Sequence, residues 1–382
     1  MLSAGGGAPR SGARLVAALV AVAAVGVVVA GLATMARSIQ PATRPALAAS
    51  PGTRAAAGTT QPAAGTPSPG PAPQITLAFA GDVHFEGRVA TRLQADPATT
   101  LGPVAAVLSR ADLAMVNLET AITEGGSAEP KEFTFRAPAV AFAALDAAGV
   151  DVATMANNHG ADFGPAGLRD TVAAIAASRF PTVGIGPDAA RAYAPYVRDV
   201  RGHRVALLAA SQIRDHTLAA WTAGPDTPGI ASAYSDRLVR AVHDARRHAE
   251  IVVVYMHWGV EGQGCPSAEQ KSLAARLAAA GADAVVGTHA HLLLGGGWLD
   301  RTYVAYGLGN FLWWRDNAYS NDTGVLQLTF RGRQVVASTL AAARIDERGV
   351  PMPAIGQTAA RIQRKWTDLR GCTDLASEPA AR

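Results

Sequence analysis

Short apolar runs of β-branched residues alternate along this chain with alanine-rich stretches of helical length, and this alternation constrains the fold most strongly. Several of the alanine-rich stretches end at a glycine, the residue that favours the left-handed position after a helix. Such alternation is typical of α/β layering. Strand candidates are residues 75–80, 113–116, 150–155, 205–209, 251–256 and 284–286, and helix candidates are residues 139–148, 165–178, 235–248 and 267–280.

The last part of the folded region has the pattern of consecutive strands. Residues 302–306, 325–331 and 334–340 are strand candidates, and the last two flank Gly332 as a hairpin would. Strands of this kind, added to an α/β unit, predict mixed sheets. We expect one folded domain over residues 75–372, followed by a C-terminal tail over residues 373–382.

An uncharged apolar run of 22 residues, 15–36, precedes this domain. At 1.5 Å per residue a helix of this length reaches about 33 Å, enough to cross a hydrocarbon core of roughly 30 Å. The arginines on both sides slightly favour a cytoplasmic N-terminus over residues 1–14 and a single-pass plasma-membrane anchor. The alternative is a signal peptide cleaved near Ala46-Leu47-Ala48, which would make the protein secreted. Both place the folded domain outside the membrane.

Residues 37–74 are dominated by Pro, Ala, Gly and Thr. A segment with so little apolar surface cannot offset its ordering entropy. We expect a disordered linker that holds the domain away from the bilayer.

The net charge of +4 and the pI near 9.3 come from the N-terminal region. Five of the 34 basic residues and none of the 30 acidic ones lie in residues 1–74, which leaves 29 basic and 30 acidic residues in the remainder. A nucleic-acid-binding protein needs a basic surface to neutralise phosphates. The composition therefore argues against a nucleic-acid partner.

Polar motifs directly follow five of the strand candidates. Ligands of open α/β sheets bind outside the carboxyl ends of the strands, so we expect these motifs to meet at one site. Each motif alone also fits a turn, a helix cap or a surface pair, but five of the nine histidines lie in four of them. The motifs are Gly81-Asp82-Val83-His84, Asn117-Leu118-Glu119, Ala156-Asn157-Asn158-His159, His257-Trp258-Gly259-Val260-Glu261 and Gly287-Thr288-His289-Ala290-His291.

The side chains of these motifs are donors of imidazole, amide and carboxylate type, without thiolate. This mixture suits Zn²⁺, Mn²⁺ or Fe rather than Ca²⁺. Seven donors exceed one tetrahedral site but fit two divalent ions that share a bridging carboxylate. The predicted ligands are Asp82, His84, Glu119, Asn158, His257, His289 and His291.

The ordered set of motifs, with Gly307-Leu308-Gly309-Asn310-Phe311 after them, resembles the poly-γ-glutamate capsule synthesis protein family of CapA type. That family is similar to calcineurin-like metallophosphoesterases. The resemblance implies a four-layer α/β/β/α sandwich with mixed sheets and a dinuclear metal centre.

The resemblance also implies individual roles for the site residues. Asp82, His84 and His291 would hold the first metal. Asn158, His257 and His289 would hold the second. Glu119 would bridge the two, and His159 would protonate a leaving group, so that His159 and Asn158 are the expected catalytic residues.

Two functions follow from these expectations. The first is metal-dependent hydrolysis or transfer in the synthesis or processing of a capsule or cell-wall polymer, at a phosphoester or a γ-glutamyl amide. The alternative is a non-catalytic accessory protein that binds or exports an anionic polymer. In either case membrane-bound capsule-synthesis proteins are the expected partners.

Four further residues are candidates for substrate binding, although each also fits an ordinary surface or structural role: Lys131, Arg136, Glu261 and Asn310. Trp313 and Trp314, with Arg315, fit a groove for a polymer and equally a set of buried aromatics. The cysteines, Cys265 and Cys372, favour one disulfide in an extracytoplasmic domain, with two buried thiols as the alternative.

Overall fold

The structure is a computed structural model that describes residues 73–381. The predicted N-terminal segment, the membrane anchor and nearly all of the linker lie outside the described residues. Among residues 73–381, no helix combines the length and the apolar character that crossing a bilayer requires.

The strands, in chain order, are β1 (Gln74–Val83), β2 (Leu113–Leu118), β3 (Ala121–Ile122), β4 (Arg136–Ala137), β5 (Val152–Thr154), β6 (Thr182–Val183), β7 (Ile185–Gly186), β8 (Tyr196–Val200), β9 (His203–Ser211), β10 (Gly229–Ile230), β11 (Ile251–Trp258), β12 (Ala284–His289), β13 (Leu293–Leu299), β14 (Thr302–Leu308), β15 (Asn310–Leu312), β16 (Asp322–Arg331), β17 (Gln334–Ile345) and β18 (Pro351–Pro353).

The helices are α1 (Arg88–Ala95), α2 (Ala105–Leu108), α3 (Val140–Ala147), α4 (Gly164–Ser178), α5 (Ala189–Ala192), α6 (His216–Trp221), α7 (Asp236–Arg246), α8 (Ala268–Ala280) and α9 (Gly356–Leu369). Local sequence explains the ends of α8 well. Ser267 and Gln270 form a reciprocal capping box at its start, and Gly281 ends it with a φ of 107°.

Two large mixed sheets form the centre of the domain. The first has the order β18-β17-β16-β1-β2-β5-β6, with β15 also paired to β1, and the second has the order β13-β14-β12-β11-β9-β8. In the first sheet neighbouring strands are parallel from β1 to β6 and antiparallel from β1 to β18. In the second sheet they are parallel from β9 through β11 and β12 to β14 and antiparallel at both edges. The prediction of an α/β fold with mixed sheets is confirmed.

The two sheets pack face to face, and β11 shows how its sequence permits this. Its side chains alternate between two cores: Val253 and Tyr255 join the core that also contains the first sheet, whereas Val252 and Val254 join the core under α7 and α8. A strand buried on both faces reads as a continuous apolar run. Each such side chain contributes about 1.5–3 kcal/mol when fully buried.

Helices pack against the first sheet as well. Helix α3 contributes Phe142 and Leu145 to the core of the first sheet, and α4 contributes Leu168. A direct bond also joins the sheets, since the Tyr255 hydroxyl donates to the carbonyl of Ala80 at 2.5 Å. This bond lies near the carboxyl ends of β1 and β11, where the polar motifs begin.

The strand β13 and the helix α9 have no counterpart among the sequence-based candidates. β13 contains three consecutive glycines, which favour a loop. The structure shows why they are there: a Cβ on Gly296 would lie 2.8 Å from Trp366 of α9, and one on Gly297 would lie 2.4 Å from the carbonyl of Ala376. The missing side chains let α9 and the chain end approach this edge.

Part of the expected C-terminal tail also belongs to the packed structure. Trp298 and Ala376 exchange two backbone hydrogen bonds of 2.8 and 2.9 Å, and Leu375 is buried. The chain therefore remains attached to β13 beyond residue 372.

Candidate metal centre

The carboxyl ends of β1 and β2 place Asp82 next to Asn117. The two residues are register partners, both are fully buried, and the Asn117 amide donates to Asp82 Oδ1 at 2.7 Å. The same amide lies 3.1 Å from Nδ1 of His257, which belongs to the second sheet. Asn117 thus connects the two sheets at the site, a role that the sequence motif alone did not indicate.

The second sheet brings its histidines to the same place through the pairing of β11 with β12. His257 lies opposite Thr288, and Trp258 lies opposite His289. Nε2 of His257 lies 3.0 Å from Nδ1 of His289 and 2.7 Å from Oδ1 of Asn158.

His289 and His291 have φ angles of 94° and 56°, which L-residues rarely adopt. Backbone strain of this kind persists where the surrounding structure holds it, often at functional sites. Nδ1 of His291 lies 3.3 Å from Oδ2 of Asp82. The family resemblance assigns Asp82 and His291 to one metal and His257 and His289 to the other. Each of these pairs is in contact, but so are Asp82 and His257, and the two groups of donors described next divide these residues differently.

Glu119 is the centre of the arrangement. Two groups of three residues could each hold a metal ion, because the three donor atoms of each group lie within 4.8 Å of one another. The first group is Asp82, Glu119 and His257, and the second is Glu119, His289 and His291. Glu119 belongs to both groups, is fully buried, and its two carboxylate oxygens accept no hydrogen bond from any described residue. An unpaired buried carboxylate is costly, and cations in contact with its oxygens would remove that cost. The donor set fits a metal centre.

The electrostatics of the site agree with this fit. Burial raises the pKa of Glu119 well above its usual range, and the negative charge of Asp82 raises it further. Burial lowers the pKa of His257 to about 4, so the imidazole is neutral and able to act as a ligand at neutral pH.

His291 behaves differently. Burial alone would lower its pKa, but the nearby Asp82 carboxylate, to which the ring can donate, and the charges of Glu119 and Glu261 raise it to about 9. Three neighbouring groups therefore favour a positive charge at this position, as a metal ion there would supply.

His159 faces the centre from the loop after β5. Its Nε2 lies 3.9 Å from Oε1 of Glu119, and its Nδ1 lies 2.6 Å from Oδ2 of Asp162. Asp162 is fully buried and is also held by the Lys131 ammonium at 2.8 Å and by the backbone N–H of Phe135 at 2.7 Å. Burial raises the pKa of Asp162 to about 7 despite the nearby Lys131.

Asp162 is a residue that our sequence reasoning missed. The sequence does contain a signal for this contact, the His159-x-x-Asp162 spacing. In a tight turn, this spacing lets the carboxylate reach the imidazole three residues earlier. Lys131, expected to bind substrate, instead contacts Asp162 and the carbonyl of Asn158.

The two neighbouring asparagines have different surroundings. The Asn157 amide donates to Oδ1 of Asn117 and to the carbonyl of Leu118, and its own Oδ1 accepts from the backbone of His159. Asn157 therefore holds the loop in place. Asn158 directs its side-chain oxygen at His257, within the site.

His84 lies beside the other candidates but in a different environment. Its ring is stacked on Phe135, with centroids 4.4 Å apart, and meets the edge of Trp313 at 4.3 Å. Both ring nitrogens face backbone N–H groups, those of Glu86 at 3.2 Å and Trp314 at 3.4 Å. His84 belongs to neither group of donors within 4.8 Å.

The sequence profile described as Bacterial capsule synthesis protein PGA_cap matches residues 76–313. The chain belongs to this family. The matched segment of this PGA_cap protein runs from β1 to Trp313 and includes all seven predicted metal ligands. It ends before α9 and Cys372.

Two relatives and one solved structure illustrate the similarity. The chain is 32% identical over 179 residues to the PGA biosynthesis protein CapA of Bacillus subtilis (strain 168), covering 46% of each chain. It is 31% identical over 214 residues to the capsule biosynthesis protein CapA of Bacillus anthracis, covering 55% of this chain and 51% of that one. The chain thus spans about half the length of these curated relatives. The sulfate thiohydrolase SoxB of Thermus thermophilus, in complex with glycerol, aligns at 16% identity with a TM-score of 0.41, over 78% of this chain and 59% of that one.

A cleft of about 190 Å³ opens beside the centre of this PGA_cap protein. His159 and His291 line it at the metal side, and Glu261 and Asn310 line its walls. Oδ1 of Asn310 is buried and has no hydrogen-bond partner among residues 73–381. Arg136 does not line the cleft and stacks on the ring of Phe163 instead.

Aromatic residues form the outer part of the cleft. Trp313 is buried against His84 and His291, whereas Arg315 is exposed and its guanidinium lies over the rings of Phe133 and Trp314. The segment around Trp313 thus combines buried packing with a wall of the cleft.

Cys265 and Cys372 are joined by a disulfide, with Cα atoms 5.8 Å apart. Cys265 lies on the loop between β11 and α8 that also carries Glu261. The bond therefore attaches a loop that lines the cleft to the segment after α9.

Proposed function

We propose that this chain carries a dinuclear metal centre and acts outside the plasma membrane on a capsule or cell-envelope polymer of poly-γ-glutamate type, by metal-dependent hydrolysis or transfer. One observation carries the proposal: Glu119 is a buried carboxylate whose two oxygens accept no hydrogen bond from any described residue, and it is shared by two groups of metal donors. A shared carboxylate of this kind is what a bridged pair of ions requires.

The residues that would hold the ions are those around Glu119. Asp82, His257, His289 and His291 each place a donor atom within 4.8 Å of the others of its group, and Oδ1 of Asn158 lies 2.7 Å from His257. Two divalent ions, when bound, would supply Lewis-acid polarisation of the bond to be broken. The donor types favour Mn, Zn or Fe.

The protein residues contribute orientation and a proton. His159 presents Nε2 to the centre while Asp162 holds Nδ1, so a proton can pass between Nε2 and the leaving group of a substrate in the cleft. Lys131 and the Phe135 amide fix Asp162 in turn. The aromatic walls and Asn310 would orient the substrate and exclude water.

The substrate class and the location rest on the family and on the N-terminal sequence. The printed names of the two Bacillus relatives refer to PGA and capsule biosynthesis, which supports an anionic envelope polymer as substrate. The apolar run at residues 15–36 supports retention at the membrane with the domain outside. Membrane-bound capsule-synthesis proteins are the partners that such a location would allow.

The test is a paired measurement on the purified full-length chain. Metal content is determined, and hydrolysis of a generic phosphoester and of a γ-glutamyl amide is then assayed in wild type, Asn158→Ala and His159→Ala. We expect bound metal in a ratio near two and a loss of turnover in His159→Ala of at least about 100-fold. His243→Ala, an exposed histidine on α7, is the matched control and should retain wild-type turnover.

Two results would contradict this proposal. A protein without bound metal would exclude the centre itself. Bound metal without turnover on either bond, together with retention of an anionic polymer, would instead support the non-catalytic accessory role.

A further inference from the structure

The exposed side of α9 carries a group of basic residues beside a surface groove. Arg361, Arg364 and Lys365 are spaced at i, i+3 and i+4, so they share one side of the helix. They line an open groove of about 680 Å³ that ends at the disulfide Cys265–Cys372. Asp368 is the acidic residue among the described lining, so the groove, hereafter the α9 groove, has a positive excess.

The α9 groove borders the cleft of the metal centre. The Lys365 ammonium lies 5.9 Å from the centre of the Tyr319 ring, and Tyr319 lines the cleft. One loop also contributes to both, since Glu261 lines the cleft and Cys265, four residues later along the chain, lines the groove. A chain that leaves the cleft past Tyr319 would reach Lys365 on the basic side of α9.

A buried carboxylate holds two of the basic side chains in position. Asp322 accepts two hydrogen bonds of 2.6 Å from Arg361 and one of 3.2 Å from Lys365. Arg344 approaches the same carboxylate at 3.4 Å. One negative charge faces three positive charges, so a positive excess remains.

Asp322 also links α9 to the cleft, because it is the first residue of β16 and directly follows the loop that carries Trp313 and Tyr319. Basic side chains that are already ordered lose less entropy when they bind a ligand. The arrangement therefore suits an anionic partner that spans both features. Arg364 is exposed and forms no ion pair with any described residue, so its charge is available.

We propose that the α9 groove is a second binding surface for the substrate, and that it takes a carboxylate-bearing polymer chain where this chain leaves the cleft. The proposal rests on the proposed function, since it identifies the partner of the groove with the polymer processed at the metal centre. A repeating polycarboxylate would place successive charges along the side of α9, whereas an uncharged chain would gain nothing there. The groove lies almost entirely beyond the segment 76–313 that the PGA_cap profile matches.

The test is a binding measurement on the metal-free protein. The full-length chain is treated with EDTA and titrated into fluorescein-labelled poly-L-glutamate, and fluorescence anisotropy is followed from about 0.05 to about 0.3 M NaCl. We expect Arg364→Glu to weaken binding by about fivefold or more at the lower salt concentration, because it removes one attractive charge and adds a repulsive one. Arg364→Lys should bind within about twofold of wild type. Arg240→Glu, the same charge reversal at an exposed position of α7, is the matched control and should also remain within that range.

Equal binding by Arg364→Glu and Arg240→Glu would overturn the proposal. So would equal affinity for uncharged poly-L-glutamine, or equal sensitivity of double-stranded DNA binding to Arg364→Glu, since the groove would then not select a polycarboxylate. The assay contains no metal and measures no turnover. Failure of the groove is therefore distinct from failure of the metal centre, which metal analysis and turnover report separately.

Discussion

Nε2 of His257 lies 3.3 Å from Oε1 of Glu119, although the two residues are positioned by different sheets. Glu119 follows β2 in the first sheet, and His257 lies near the end of β11 in the second. The face-to-face packing of the sheets therefore assembles the site. A change that separates the sheets would disrupt both groups of metal donors at once.

Glu119→Gln should abolish stabilisation by metal while the protein remains folded. Burial raises the pKa of Glu119, so the folded state disfavours its ionised form, and the metal-free variant should be at least as stable as metal-free wild type above pH 6. Wild type with metal at about 100 times its Kd gains about 2.7 kcal/mol, a shift of several degrees in Tm. Thermal unfolding with and without Mn²⁺ or Zn²⁺ measures both effects. A variant that gains the same metal-dependent shift as wild type would exclude Glu119 as the shared ligand.

Asp162→Asn should lower turnover without removing metal. The amide cannot hold the His159 ring as the carboxylate does, and loss of such a partner typically costs about 10- to 100-fold in activity. Because burial raises the pKa of Asp162 to about 7, the wild-type pH–rate profile should also contain an inflection near that pH which the variant lacks. Metal analysis serves as the control. An unchanged profile would assign Asp162 a structural role only.

His203 should stabilise the start of β1 in a pH-dependent way. It is buried, and its two ring nitrogens face Oε2 of Glu250 at 2.9 Å and the carbonyl of Pro73 at 2.6 Å, so only the doubly protonated ring donates to both. Burial alone would lower the pKa of His203, but these two bonds raise it. The stabilisation is then complete below the unfolded-state pKa of about 6.5 and is lost as the pH rises through the higher folded-state value.

The measurement for His203 is the difference in Tm between wild type and His203→Gln across a pH series. We expect wild type to be more stable by a few degrees at pH 6 and the difference to shrink by pH 9. His248→Gln, at an exposed position just after α7, is the matched control and should leave the Tm close to that of wild type. A constant difference across the series would contradict the charged form of His203.

Removal of the disulfide should lower the free energy of unfolding and loosen the rim of the cleft. The bond closes a segment with a sequence separation of 107 residues, and loss of a native disulfide typically costs about 2–5 kcal/mol. Chemical denaturation of the Cys265→Ala, Cys372→Ala double variant measures this cost. Dithiothreitol should lower the stability of wild type by the same amount and have no effect on the double variant. Equal free energies of unfolding for wild type and the double variant would show that the bond does not constrain the fold.

Much of the fold was predictable because its signals are local. The predicted strands at residues 75–80, 251–256 and 284–286 are present, since apolar β-branched runs and glycine stops act over a few residues. β13 was missed because its signal is not local. The glycines of β13 resemble a loop until Trp366 and Ala376 are seen to pack against them.

The amino-acid sequence alone determined the α/β class with mixed sheets, the family, and the types of donor at the strand ends, because these depend on short motifs and their order. Only the tertiary structure decided which donors meet. It placed Glu119 in both groups, surrounded His84 with backbone N–H groups and aromatic rings, and brought Asp162 to His159. The physical reason is that sheet-on-sheet packing joins residues far apart in the chain, and neither periodicity nor spacing records which side chain then faces which.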